Sequence, residues 1–256
     1  MLAVTCLGQR PEFEVASVKP TAGGDGRSLL QAVPGKLMMS HMALRRLVLI
    51  AYGIQDYQLV GDPSWAASEY YDIQARADGE ASVQQMEGPM LQLLLEDRFK
   101  LASHHETRQL PLYQLTIAKG ALKLQATKEG SCTPYPIDSP PPSASPATYC
   151  GLRLTTNGTN RTLEGRGVTM AELAANLSRT YSAALGRTVL DVTGRNERFD
   201  VHLTWATDFG GSAPPPDQEG PSLVTAIQEQ LGLKLESAKG PLDVMVLDHI
   251  ERPSVN

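Results

Sequence analysis

At 256 residues and 27.7 kDa the chain has room for one large domain or two small ones. A hydrophobic share of 41 %, a charged share of 20 %, and 22 Gly with 18 Pro describe a globular protein and exclude collagen-like and disordered classes. No apolar run reaches the ~18–20 residues of a membrane helix, and the net charge of −5 argues against a nucleic-acid partner.

In chain order, Met1-Leu2-Ala3-Val4-Thr5-Cys6-Leu7-Gly8-Gln9 is apolar and uncharged until Arg10, and residues 1–10 read as the remnant of a signal peptide or as a disordered start. A strand-like Lys36–Met39 precedes an apolar helical pattern opened by Met42-Ala43. Tyr71-Asp72-Ile73 then opens an alternating strand. A second helix opens in the stretch Met90 to Leu101 and runs into a strand, His104 and Glu106 alternate along a strand, and Pro111–Ile117 is read as a further, Pro-led strand.

The same order recurs at an offset of about 128 residues. Arg161–Gly165 is strand-like, Thr169-Met170-Ala171-Glu172 is a capping box opening a third helix, and Gly186 is read as its stop. Phe199-Asp200-Val201 opens the matching strand. Ser222 caps a fourth helix, Gly232 ends it, and Pro241–Leu247 is the last Pro-led strand. The reading is an internally duplicated α+β chain. Each half is β-α-β-β-α-β-β, with a largely antiparallel sheet and helices packed on one face. The first repeat is 11–128, a Pro/Ser-rich linker is 129–150, and the second repeat is 151–256. A second Pro-rich break falls at Phe209–Pro221.

Cys132 and Cys150 bracket a stretch rich in proline and serine. Two cysteines closing one such loop predict a disulfide and an oxidising compartment, so the protein is expected to be periplasmic or secreted. No Cys-x-x-Cys or paired-His spacing predicts a metal, and no cofactor motif is found. His105-Glu106-Thr107-Arg108-Gln109 nearly opens a zinc-protease helix, but Gln109 stands where the second histidine must be. There is no Gly-x-Ser-x-Gly elbow for a serine nucleophile.

What remains is a set of polar candidates for acid–base work. His104 and Glu106 alternate along a strand and face one way, with a surface strand salt-bridged to Arg108 as the plainer reading. Asp200 is matched by Asp72, which favours a structural turn at both. Asp248, His249 and Glu251 crowd the C-terminal strand, where a charged strand end is the alternative. Tyr52, Trp65 and Trp205 are the aromatic residues placed at a ligand pocket, against the alternative of core packing.

Several stretches carry a resemblance: Phe13-Glu14-Val15-Ala16-Ser17-Val18-Lys19-Pro20, Ala51-Tyr52-Gly53, Trp65, Asp97-Arg98-Phe99-Lys100-Leu101, Gly186-Arg187-Thr188-Val189, Thr193-Gly194, Glu229-Gln230-Leu231-Gly232 and Asp248-His249-Ile250-Glu251-Arg252-Pro253. From residue 13 to 256 the chain resembles an exported family of soil-bacterial, acidobacteria-type proteins carried as a domain of unknown function. Related domains sit behind membrane metallopeptidases of the penicillin-sensing type. The resemblance implies an extracytoplasmic sensing or binding role and assigns no activity.

The leading expectation is therefore an extracytoplasmic ligand-binding or sensing module without catalysis, taking a small-molecule or cell-envelope ligand. A secreted hydrolase using carboxylate and histidine residues is the alternative, and a protein-interaction or assembly domain is a third. Ligand identity and oligomeric state stay open.

Overall fold

The computed structural model describes residues 11–21, 26–135, 148–181, 185–206 and 220–253. The candidate leader at Met1–Gln9 and most of the two Pro-rich breaks lie outside the described residues. The chain divides into two units, Met1–Arg108 with Leu242–Asn256, and Gln109–Pro241. Both are α+β with mostly antiparallel sheets.

In the first unit, β1 (Phe13–Pro20), β2 (Leu29–Val33), β3 (Lys36–Ala43) and β5 (Tyr70–Ala77) form a sheet of order β1-β5-β3-β2, antiparallel throughout. Helix α1 (Leu44–Tyr52) places Leu44, Leu47, Val48 and Ala51 on one stripe, all buried, and ends at Gly53 in the left-handed region. The short β4 (Leu59–Val60) and α2 (Trp65–Ser68) lead to β5. After it, α3 (Val83–Gln85) passes through a π-type turn at Met86–Met90, where Gly88 leaves helical geometry next to Pro89, into α4 (Leu91–Arg98). Leu47, Leu91, Leu95 and Phe99 meet Leu37, Met39 and Ile73 in the core.

In the second unit, β7 (Gln125–Ala126), β8 (Gly151–Asn157), β9 (Asn160–Val168) and β11 (Phe199–Ala206) form a sheet of order β7-β11-β9-β8, again antiparallel. Helix α5 (Met170–Thr180) starts on the Thr169/Glu172 capping box, with bonds of 3.1 and 2.8 Å, and closes at Tyr181, ahead of Gly186. Helix α6 (Leu223–Leu231) is capped by Ser222 and ended by Gly232 at φ 68°. Leu173, Leu177, Ala226 and Ile227 pack on Leu163, Val201 and Leu203.

Two expectations are corrected: Met42-Ala43 ends β3, paired with Tyr71 and Tyr70, instead of opening α1, and the strand count of each half changes. The strand after each second helix and the Pro-led strand that follows are not two strands but one. β6 is continuous over Ala102–Ile117 and β12 over Leu233–His249, with Pro111 and Pro241 inside them. Proline's fixed φ is compatible with an extended chain and removes only one ladder donor, so it does not have to start a strand. β6 and β12 are neighbours in a third sheet of order β10-β6-β12-β4, with β10 being Val189–Asp191. Two short parallel pairings complete it: Leu59 and Val60 lie beside Met245 and Val246, and Val189 to Asp191 lie beside Tyr113 to Leu115. Met245 and Leu247 thus join the core of the first unit, and Leu115 that of the second.

Candidate functional site

In both antiparallel sheets the strand before the first long helix is broken by a residue with positive φ. In the first unit it is His41, at 51°; in the second it is Gly167, at 59°. Each break exposes a backbone N–H that no ladder partner takes, and an aspartate on the neighbouring strand accepts it. Asp72 accepts from His41 N–H at 2.8 Å and from the Thr21 hydroxyl at 3.2 Å. Asp200 accepts from Gly167 N–H at 3.2 Å and from the Thr127 hydroxyl at 2.8 Å.

Around the second break lies a groove. The Cys132–Cys150 disulfide closes its loop with Cα atoms 5.1 Å apart, and Thr133 and Tyr149 bridge just inside it. The sulfur atoms press on Gly167, where a Cβ would sit 2.8 Å from Cys132 Sγ. Glycine is thus required twice at this position, for the left-handed backbone and for the space. Arg198 donates to the Gly167 carbonyl and stands 3.6 Å from Glu172. The resulting cavity, about 560 Å³, is walled by the disulfide, Lys128, Tyr135, Gly167, Glu172 and Arg198. Tyr135 is half exposed and lies edge-on to Tyr149 at 5.3 Å. Ser131, also in the wall, keeps a buried hydroxyl with no partner. Two cations (Lys128, Arg198), two carboxylates (Glu129, Glu172) and an aromatic ring in one concave site can hold a small polar or zwitterionic molecule.

The residues singled out in the sequence are distributed as follows. Cys132 and Cys150 are bonded, as expected. His104 and Asp248 come together on β6 and β12, with Nδ1 2.9 Å from both carboxylate oxygens. Beside them His105 Nδ1 meets Asp243 at 2.7 Å, and His249 Nε2 meets Glu251 at 2.8 Å. All of these side chains are exposed or nearly half so. Glu106 pairs with Arg108 along the same strand. Asp200 is the clamp described above, in the other unit, so it does not join the histidine pairs.

Tyr52 and Trp65 pack at the margin of the first core, whereas Trp205 is 3 % exposed, inside the second core and edge-on to Tyr181 at 5.1 Å. Trp65 carries Arg252 over its face at 4.7 Å, and Arg252 grips both oxygens of Glu69. That hydrogen bonding holds the Glu69 carboxyl below its ordinary value. Burial, with Glu69 as acceptor, pushes the Tyr71 hydroxyl up to about 12. Glu69, Lys128 and Arg198 escaped sequence reasoning because nothing in local spacing marks them. Gly167, two residues before the Thr169 cap, and the two cysteines were the available signals for the groove.

Among the described residues no group of three or more His, Cys, Asp or Glu is placed to hold a metal ion, and no helix is long and apolar enough to cross a membrane. Fold and site together define an α+β protein of two units, mostly antiparallel, with a disulfide-walled groove. The profile of a family described as a protein of unknown function, DUF3738, matches residues 45–250, and the chain belongs to that family. No curated protein and no solved structure matches it.

Proposed function

We propose that this protein is an internally duplicated, extracytoplasmic ligand-binding or sensing module whose ligand occupies the groove beside Cys132–Cys150. The observation that carries the reading is the groove itself, where Lys128, Arg198, Glu172 and Tyr135 converge over a cross-linked floor. The disulfide supports an oxidising compartment, periplasmic or secreted. Duplication is supported by the matching strand orders of the two antiparallel sheets and by the paired clamps of Asp72 and Asp200.

The test is thermal unfolding of the full chain against cell-wall fragments, β-lactams, oligosaccharides and peptides. A ligand at 100 times its dissociation constant adds about 2.7 kcal/mol, a rise of roughly 5–10 °C for a chain of this size. The reading expects a hit that is recovered unchanged and that is lost in Arg198→Ala and Lys128→Ala. A hit that survives both substitutions moves the site elsewhere.

The His104–Asp248 pair favours a second reading, a secreted hydrolase. A carboxylate on Nδ1 orients the imidazole and leaves Nε2 as its acid–base atom. Consumption of a panel compound, abolished in His104→Ala, would establish it. Silence across the panel would favour a protein partner, for which β2 offers an uncharged edge with Leu29, Leu30 and Val33 exposed.

A further inference from the structure

The sheet of the second unit carries a cation on its inner face. Strands β8, β9 and β11 align in rows: Leu152–Gly165–Val201, Leu154–Leu163–Leu203 and Thr156–Arg161–Trp205. Residues directly opposite across a ladder share a face. Leu163, Val201, Leu203 and Trp205 are all buried against α5 and α6, so the face of these rows is the core face. Arg161 therefore stands where the row above it has Leu163.

Its surroundings leave the Nε donor of this half-buried guanidinium unserved. Arg161 Nε is buried and has no hydrogen-bond partner, and the same holds for the hydroxyl of Tyr181, which closes α5. Tyr181 is 3 % exposed, packs edge-on against Trp205, and feels the charge of Arg161. No ion pair among the described residues includes Arg161. Buried donors are nearly always satisfied in folded proteins, and one left unmet costs free energy that a bound acceptor returns. Two unmet donors, one of them on a cation, at one corner of a sheet point to an oxyanion.

The same corner is open on one side. The helices cover β9 and β11, but toward β8 the cover stops: Leu154 is 38 % exposed although it lies on the core face, and Thr156 beside Arg161 is exposed. Leu152 and Leu154 form an apolar strip leading away from Arg161. A cation with a second donor at one end and aliphatic surface beside it complements an anion that carries a hydrocarbon tail. The flat guanidinium and one phenol suit the two oxygens of a carboxylate better than the three of a phosphate.

We propose that this corner binds a small carboxylate with an apolar tail, its carboxylate on Arg161 and Tyr181 and its tail along Leu154 and Leu152. It lies at the Trp205 end of β11, whereas the disulfide groove lies at the Asp200 end. The proposal therefore stands or falls apart from the reading of that groove.

Calorimetric titration of the full chain with octanoate tests it, with acetate, octanol and inorganic phosphate as the comparison probes. Octanoate is expected to bind, with acetate, octanol and phosphate each at least tenfold weaker. Arg161→Gln should weaken octanoate at least tenfold and Tyr181→Phe several-fold. Arg161→Met should also melt no lower than the parent, because it removes the unmet buried donor and adds none; a purely structural arginine would give the opposite shift. Leu154→Asp, at a position 38 % exposed and with its fold checked by circular dichroism, should abolish octanoate binding by placing a charge on the strip. Octanoate binding that is absent, unchanged in Arg161→Gln or Leu154→Asp, or matched by phosphate would overturn the proposal.

Discussion

Asp72 accepts the backbone N–H of His41 at 2.8 Å, across a strand pair whose register slips between Met39 and Met42. The left-handed turn at His41 removes that N–H from the ladder, and only the carboxylate replaces the lost acceptor. Asp72→Ala should therefore destabilise the protein by about 1–3 kcal/mol, the cost of leaving a part-buried donor unmet. Asp72→Asn should cost less, since the amide oxygen still accepts. Equilibrium urea unfolding measures both, and an alanine variant as stable as the parent would mean that water satisfies His41.

The groove makes a similar demand of Gly167. Alanine there meets a backbone at φ 59° and a Cβ position 2.8 Å from Cys132 Sγ. Gly167→Ala should lower the melting temperature, and should do so by less in a Cys132→Ser/Cys150→Ser background, where the steric part against the sulfurs is gone and only the strain of the left-handed backbone remains. The two effects separate in a double-mutant cycle.

Removing the disulfide alone, by Cys132→Ser with Cys150→Ser, should cost about 3 kcal/mol in the chain-entropy account for a loop of this length. Thiol titration of the unreduced, unfolded protein should find neither of these two cysteines free. Two titratable thiols from them would remove the main support for an oxidising compartment.

Much of this was legible in the sequence because it is local. The Thr169/Glu172 box, the Ser222 cap and the Gly232 stop each need only residues a turn apart, and all three are realised. The disulfide was legible because two cysteines close one linker. The continuity of β6 and β12 through Pro111 and Pro241 was not, since a proline has the same φ at the start of a strand as inside one. Nor were the pairs joining Arg252 to Glu69 and His104 to Asp248, which lie 183 and 144 residues apart and depend on the fold to meet. Arg161 sits where simple alternation places a core residue, and its charge concealed that.

Two pH effects follow from the Trp65 corner and the second core. Glu69 ionises more readily folded than unfolded, so its pairing with Arg252 stabilises the protein above the ordinary glutamate range and is lost as pH falls through the lowered value. Glu69→Gln should flatten the acid limb of a stability–pH curve and weaken the Tyr71 part of its alkaline limb, since Glu69 also helps hold the Tyr71 hydroxyl up. Tyr71 and Tyr181, both pushed up to about 12, mainly by burial, work in the other direction. They stabilise the fold below pH 10 and lose that contribution between about 10 and 12, because the unfolded chain ionises first. An ultraviolet titration should resolve these two late tyrosines, and Tyr71→Phe should remove one of them.

The long strands β6 and β12 carry a consequence for how such a chain can be divided or inherited. The first half of the sequence lends Leu115 to the second core, and the second half lends Met245 and Leu247 to the first. A fragment ending at 128 lacks part of its own interior, and so does one beginning at 151. Produced separately, the halves should stay unfolded, and mixed they should complement one another into a native pair. Because each half finishes the other's core, neither can be moved alone into another chain and keep its fold.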